Sequence, residues 1–187
     1  MNLPDRPLLL GLSGSLRRES YSTAVLRTLV EAMTPRAEIR IFDLAPIPLY
    51  NADDDGEVAP PPVQTLREAI DAAAGLVVVS PEYNFGMSGV LKNALDWGSR
   101  PTYKSPLTRK PVVFMTASPS FVGGARARQQ LLETFEAMLS RVVVTPPVLI
   151  GSVHQKVRDG RLADETSLKF ATDAVDALIA ALAAGFQ

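Results

Sequence analysis

The sequence predicts an α/β fold in three layers, with a parallel sheet of five strands between two layers of helices. Two observations predict it. Short apolar runs alternate along the chain with segments of helical spacing, the pattern of a sheet built from strand-helix-strand units. The run Leu76-Val77-Val78-Val79 is almost wholly apolar, as expected of a strand covered on both faces.

Each element follows from its own residues. Residues 8–12 form an apolar run that ends in glycine and serine, and from about Ser22 the spacing of Val25, Leu26, Leu29, Val30 and Met33 is helical. Pro35 stops that helix, and Ile39-Arg40-Ile41-Phe42 begins the second strand. Prolines make residues 43–50 irregular, while 51–62 reads as a solvated loop. Leu66, Ala69, Ile70 and Ala73 give residues 63–74 a helical stripe, and Gly75 ends it before the third strand. Val90, Leu91, Ala94, Leu95 and Trp97 suit a further helix, and Pro111-Val112-Val113-Phe114-Met115 a fourth strand. A helix over 125–139 leads to a fifth strand, Arg141-Val142-Val143-Val144-Thr145, and a closing helix spans 168–182.

Composition narrows the function. A chain of 187 residues with 47% apolar content fits one domain, residues 1–187, with a real core. A formal charge of -1 and the lack of a sizeable basic patch argue against nucleic acid as partner. Zero cysteines exclude disulfides, thiolate catalysis and iron–sulfur ligation by protein thiolates. The opening residues lack a secretory pattern and no segment has membrane-spanning length, so a soluble cytoplasmic protein without membrane insertion is expected.

Ligands of such a sheet gather beyond the strand C-termini. The first such loop, Gly11-Leu12-Ser13-Gly14-Ser15-Leu16-Arg17-Arg18-Glu19-Ser20-Tyr21-Ser22, packs hydroxyls, glycines and arginines ahead of a helix N-terminus. That combination is an anion socket, best matched to a monophosphate. It lacks the Lys-Ser or Lys-Thr ending of a triphosphate P-loop. It also lacks the three-glycine dinucleotide fingerprint, leaving Asp43 as the one ribose-binding candidate nearby.

The second loop, Pro81-Glu82-Tyr83-Asn84-Phe85-Gly86-Met87-Ser88-Gly89, mixes apolar rings with polar edges suited to a flat heteroaromatic group. Tyr83 and Phe85 equally fit cover for a core edge or an oligomer contact, and Glu82 an arginine across a subunit interface. In the third loop Ser118, Gly123 and Gly124 can bring amide donors to a planar ring, or form a hinge before the next helix. Lys92 and Asp96 read as a surface pair one helical turn apart. His154 has no triad or metal-ligand companions, and Asp53-Asp54-Asp55-Gly56-Glu57 departs from a calcium loop, so no metal site is expected.

Three motifs together, Gly14-Ser15-Leu16-Arg17-Arg18-Glu19-Ser20-Tyr21-Ser22, Pro81-Glu82-Tyr83-Asn84 and Leu91-Lys92-Asn93-Ala94-Leu95-Asp96-Trp97, resemble the NAD(P)H-dependent FMN reductase family, which includes bacterial quinone, azo-compound and chromate reductases. The resemblance extends loosely over residues 8–182. It implies a flavodoxin-like sheet of order 2-1-3-4-5 and a noncovalent FMN. Ser13, Ser15, Arg17, Ser20 and Ser22 would surround the phosphate. Pro81, Glu82, Tyr83 and Asn84 would lie along the isoalloxazine, with Ser118, Gly123 and Gly124 forming another side. Ser22 stands where the family often has asparagine, and Gly86-Met87-Ser88-Gly89 where it commonly has Ser-Xaa-Pro-Gly.

The implied activity is transfer of reducing equivalents from NADPH or NADH to a quinone or other small electron acceptor, with hydride chemistry at FMN N5 and no catalytic side chain. Reduction of free FMN, which then leaves as product, is the close alternative. A nonenzymatic flavin-binding electron carrier or redox sensor is the competitor from another class. The resemblance also implies a homodimer or homotetramer.

Overall fold

The computed structural model describes residues 6–56 and 58–185. Residues 1–5, read above for a secretory pattern, and Glu57 of the acidic loop lie outside them. Strand β1 (Leu8–Ser13) leads to helix α1 (Tyr21–Met33), then β2 (Glu38–Phe42), α2 (Pro61–Ala72), β3 (Gly75–Ser80), α3 (Gly89–Gly98), β4 (Pro111–Ala117) and α4 (Ala125–Ala137). After β5 (Arg141–Val142) and β6 (Leu149–Ile150) come α5 (Val153–Lys156), the hairpin strands β7 (Val157–Arg158) and β8 (Arg161–Leu162), and α6 (Glu165–Ala183). The order β2-β1-β3-β4-β5 is parallel throughout, as expected for a flavodoxin-like sheet.

Alternation along the central strands divides the core in two. Val77, Val79, Val113 and Met115 face α1 and α6, where they meet Val25, Leu29, Val175 and Leu178. Leu76, Val78, Val112 and Phe114 face the other way, against Leu66 of α2, Leu91 and Leu95 of α3, and Leu131 and Phe135 of α4. Each strand therefore buries both faces, which is why its sequence is apolar without alternation.

The Leu91 to Trp97 motif anchors the irregular segment after β2. Asn93 accepts from the Tyr50 amide at 2.7 Å and donates to the Pro48 carbonyl, which also accepts from Trp97 Nε1 at 2.8 Å. Lys92 and Asp96 pair at 2.6 Å on the same helix. His154 is exposed on α5. Asp43 accepts from the Ala45 amide at 3.0 Å, an Asx turn closing β2. In the acidic loop Asp55 pairs with Arg67 at 2.7 Å, tying the loop to α2.

One expectation needs correction. The fifth strand does not run through 141–145: β5 stops at Val142, Val144 is 95% exposed, and pairing to β4 resumes only at β6. Pro146 and Pro147 lack amide donors, so the edge of β4 is covered by two short strands instead of one. The α5 turn and the β7–β8 hairpin add to the expected elements, and α4 ends at Ala137 where a helix to 139 was expected.

Candidate functional site

The order of strands reverses between β1 and β3, so the loops leaving them diverge and open a crevice at their C-terminal ends. Gly14 brings the two loops together. Its amide donates to the Val79 carbonyl at 2.8 Å, and a Cβ built on it would stand 2.9 Å from both Pro81 Cδ and Ser88 Oγ. No larger residue fits there without moving one loop.

Within the first loop the serines divide their work. Ser13 Oγ, at the end of β1, meets Thr23 Oγ1 in the first turn of α1 at 2.8 Å. Ser20 caps α1, its hydroxyl oxygen accepting from the Thr23 amide at 3.1 Å, which leaves its proton free to donate. Ser15 Oγ accepts a long bond from the Arg17 amide at 3.4 Å. Ser22 is only 1% exposed, yet among the described residues its hydroxyl has no partner. The Tyr21 and Ser22 amides, first in α1, also lack internal acceptors among the described residues.

Arg17 and Arg18 make no ion pair among the described residues, and the Arg17 guanidinium lies 5.6 Å over the Tyr21 ring. Ser22 lines a recess between this loop and the second, so its hydroxyl is available to a ligand there. With the α1 N-terminus and the Arg17 guanidinium beside it, this donor set suits an anion.

Ser15, Arg17, Ser20 and Ser22 converge with Pro81, Glu82, Tyr83 and Pro119 on one recess of about 60 Å³. This is room for a phosphate-sized group, with any larger ring lying across the open rim. Wider hollows of about 430 and 450 Å³ lie at the α5–α6 junction and between α3 and α4, and another of about 430 Å³ opens beside Arg18, Ser20 and Tyr21 toward the β7–β8 hairpin. Ser13 lines the neighbouring hollow beside β2. Asn84 is carried outward on the turn beyond Tyr83, with φ of 48°.

The second and third loops are locked to one another. Glu82 Oε2 accepts from the Ala127 amide at 2.9 Å, so the carboxylate serves the first turn of α4. Gly123 and Gly124 have φ of 74° and 88°, and a Cβ on Gly124 would stand 3.0 Å from Thr116. Thr116 Oγ1 donates to the Gly123 carbonyl at 2.6 Å, and the Gly123 amide itself donates to Ser120. Of this glycine pair only the Gly124 amide lacks an internal acceptor among the described residues. Ser118 is buried and accepts from the Ser120 amide at 3.2 Å.

Thr23, Thr116 and Gln130 were not legible as site residues. Each acts on a partner that only the fold brings near: Gln130, for example, accepts from the Met87 amide 43 residues away. Thr23 alone carried a local signal, three positions after the capping serine. No set of His, Cys, Asp and Glu side chains placed to hold a metal occurs among the described residues. None of their helices is long and apolar enough to cross a membrane.

The donor set thus fits a phosphate-bearing ligand with a flat group spanning two loops. Comparison with known proteins points the same way. Residues 7–155 match the NADPH-dependent FMN reductase family. An NAD(P)H-dependent FMN reductase of Pseudomonas aeruginosa is 39% identical over 177 residues, covering 94% of this chain and 95% of the relative. A quinone reductase of Escherichia coli is 39% identical over 166 residues, covering 86% and 87%. FerB, a flavoenzyme NAD(P)H:(acceptor) oxidoreductase from Paracoccus denitrificans, superposes with a TM-score of 0.84 at 27% identity, covering 94% of this chain and 97% of FerB. The family match spans the first two loops and strands β1 to β6, and the chain belongs to the NADPH-dependent FMN reductase family of oxidoreductases.

Proposed function

We propose that the chain is one FMN-binding domain that acts as an FMN-dependent NAD(P)H oxidoreductase, passing reducing equivalents to quinones or other small electron acceptors. The observation that carries this reading is the convergence of Ser15, Arg17, Ser20 and Ser22 on one recess at the α1 N-terminus, where the Ser22 hydroxyl and the Tyr21 and Ser22 amides have no partner among the described residues. Ser15, Ser20, Ser22 and Arg17 hold the phosphate, and Ser13 keeps the loop in shape through Thr23. Pro81, Tyr83 and Asn84 flank the ring from one loop, Ser118, Gly123 and Gly124 from the other, with Glu82 joining the two through α4.

FMN, when bound, supplies the two-electron redox chemistry between nicotinamide and acceptor. The protein binds, orients and shields. The α1 N-terminus and the arginines neutralise phosphate charge, while the Gly124 amide offers a donor toward charge developing on the ring side. No side chain is needed as nucleophile or general acid.

A second reading, reduction of FMN that then leaves as product, is favoured by the open rim: Tyr83 is 50% and Phe121 87% exposed. Those exposed rings also favour cover by a second copy, and we take the protein to be a homodimer or homotetramer. The absence of cysteine suits a cytoplasmic setting.

The test is to purify the chain without added flavin, record its visible absorbance, load it with FMN if needed, and mix it anaerobically with NADPH or NADH. Loss of the oxidised-flavin band, followed by recovery when a quinone is added, is expected. Bound FMN that keeps its colour with both nicotinamides would make the protein a carrier or sensor instead.

A further inference from the structure

The turn after Tyr83 is held in place from outside. Asn84 and Phe85 have φ of 48° and 65°, and Tyr83 and Gly86 exchange two backbone hydrogen bonds at 3.0 Å. This is a two-residue turn of the type that prefers Asn-Gly, with phenylalanine in the glycine position. A bulky residue in left-handed backbone is strained, and such geometry persists only where surrounding structure imposes it.

Helix α4 is the surrounding structure. It docks firmly on the sheet, with Phe135 stacked on Phe114 at 5.7 Å. Its first turn receives the Glu82 carboxylate, and its N-terminal Arg126 places a guanidinium 4.4 Å over the Phe85 ring. One turn on, Gln130 Oε1 accepts from the Met87 amide at 2.7 Å. Gly86 makes room for this: a Cβ there would stand 2.7 Å from the same oxygen. Gly86 and Gln130 are therefore a matched pair, one vacating the volume the other fills.

We propose that Gln130 is a positioning residue for the acceptor side of the site. By holding the Met87 amide it sets the 83–86 turn, and with it the stand of the Tyr83 and Phe85 rings, 50% and 69% exposed at the rim. A planar aromatic acceptor lies against such rings. Gln130 thus governs how the acceptor, and the nicotinamide that meets the same ring, are received, while the phosphate loop is independent of it. The acceptor role rests on the oxidoreductase reading above; the hold on the turn does not.

Four variants test it: Gln130→Ala, Gln130→Glu, Gly86→Ala, and Gly86→Ala combined with Gln130→Ala. In the flavin-free chain, hydrogen exchange at the Met87 amide should quicken about tenfold in Gln130→Ala, with α4 amides unchanged. Gln130→Glu keeps the oxygen acceptor and should keep the protection. In the FMN-loaded enzyme, KM for 1,4-benzoquinone should rise about tenfold in Gln130→Ala and Gly86→Ala, KM for NADPH should rise with it, and kcat should stay within about twofold. The double variant should be no worse than the poorer single, because both act through one contact.

Unchanged Met87 exchange in Gln130→Ala would overturn the proposal. So would faster exchange spread along all of α4, an unchanged KM for 1,4-benzoquinone, a loss confined to kcat, or additive losses in the double variant. A wild-type chain without turnover would remove the acceptor role together with the oxidoreductase reading, and Met87 exchange would still show whether Gln130 holds the turn.

Discussion

Ser20 and Ser22 stand two positions apart and do different work. Ser20 holds the Thr23 amide as the α1 cap, whereas Ser22 offers its hydroxyl to nothing in the chain's described residues. Ser22→Ala should therefore weaken FMN binding about five- to tenfold with the melting temperature unchanged. Ser20→Ala should cost about 1 kcal/mol of stability as well as affinity, because the helix loses its cap. Fluorescence titration with FMN and thermal melts on the two variants check this, and equal melting losses would show that Ser22 is structural too. The density of serine and arginine in this loop was legible in the sequence. Its division of labour was not, because that depends on where the first helical turn begins. Glu82 shows the same limit: its chemistry suited a ligand or a partner arginine, and only the fold brings the Ala127 amide to it.

Among the elements, periodicity located every long helix and the first four strands, and prolines explain the main miss, the divided edge at β5 and β6. The β7–β8 hairpin carried a readable turn, Asp159-Gly160, both in left-handed backbone. Its strands have only two residues each, too few for an alternating pattern. The closing helix begins earlier than its apolar spacing implies because Asp164 caps it, accepting from the Ser167 amide at 2.9 Å. Hydrogen bonding from Ser167, side chain and then backbone, holds the Asp164 carboxyl below its ordinary 3.8, with Lys156 adding to the effect. A carboxyl lowered on folding stabilises above its unfolded value, and loses that effect as pH falls through the folded one. Asp164→Ala should thus cost about 1 kcal/mol near neutral pH. The difference from wild type should shrink once pH drops below 3.8. Urea denaturation at both pH values measures it, and a deficit that persists in acid would assign the loss to something other than the charged cap.

For the molecule as a whole, the sheet order does most to place function. A parallel sheet whose strand order reverses between β1 and β3 must leave a crevice there, and the two apolar cores on either side make its walls stiff. That much was legible, since apolar runs and helical spacing set the layers and the three strand-end loops carried the polar residues. Contacts across the crevice, from Gly14 against Pro81 and from α4 to the second loop, come from packing over long sequence separations and left no local trace. In the proposed function the loop ahead of α1 binds the phosphate of the flavin. Calorimetric titration of the flavin-free chain with FMN and with riboflavin, which lacks only the phosphate, tests it directly. FMN should bind at least about a hundredfold more tightly, and inorganic phosphate should compete with it; equal affinities for the two flavins would contradict the account.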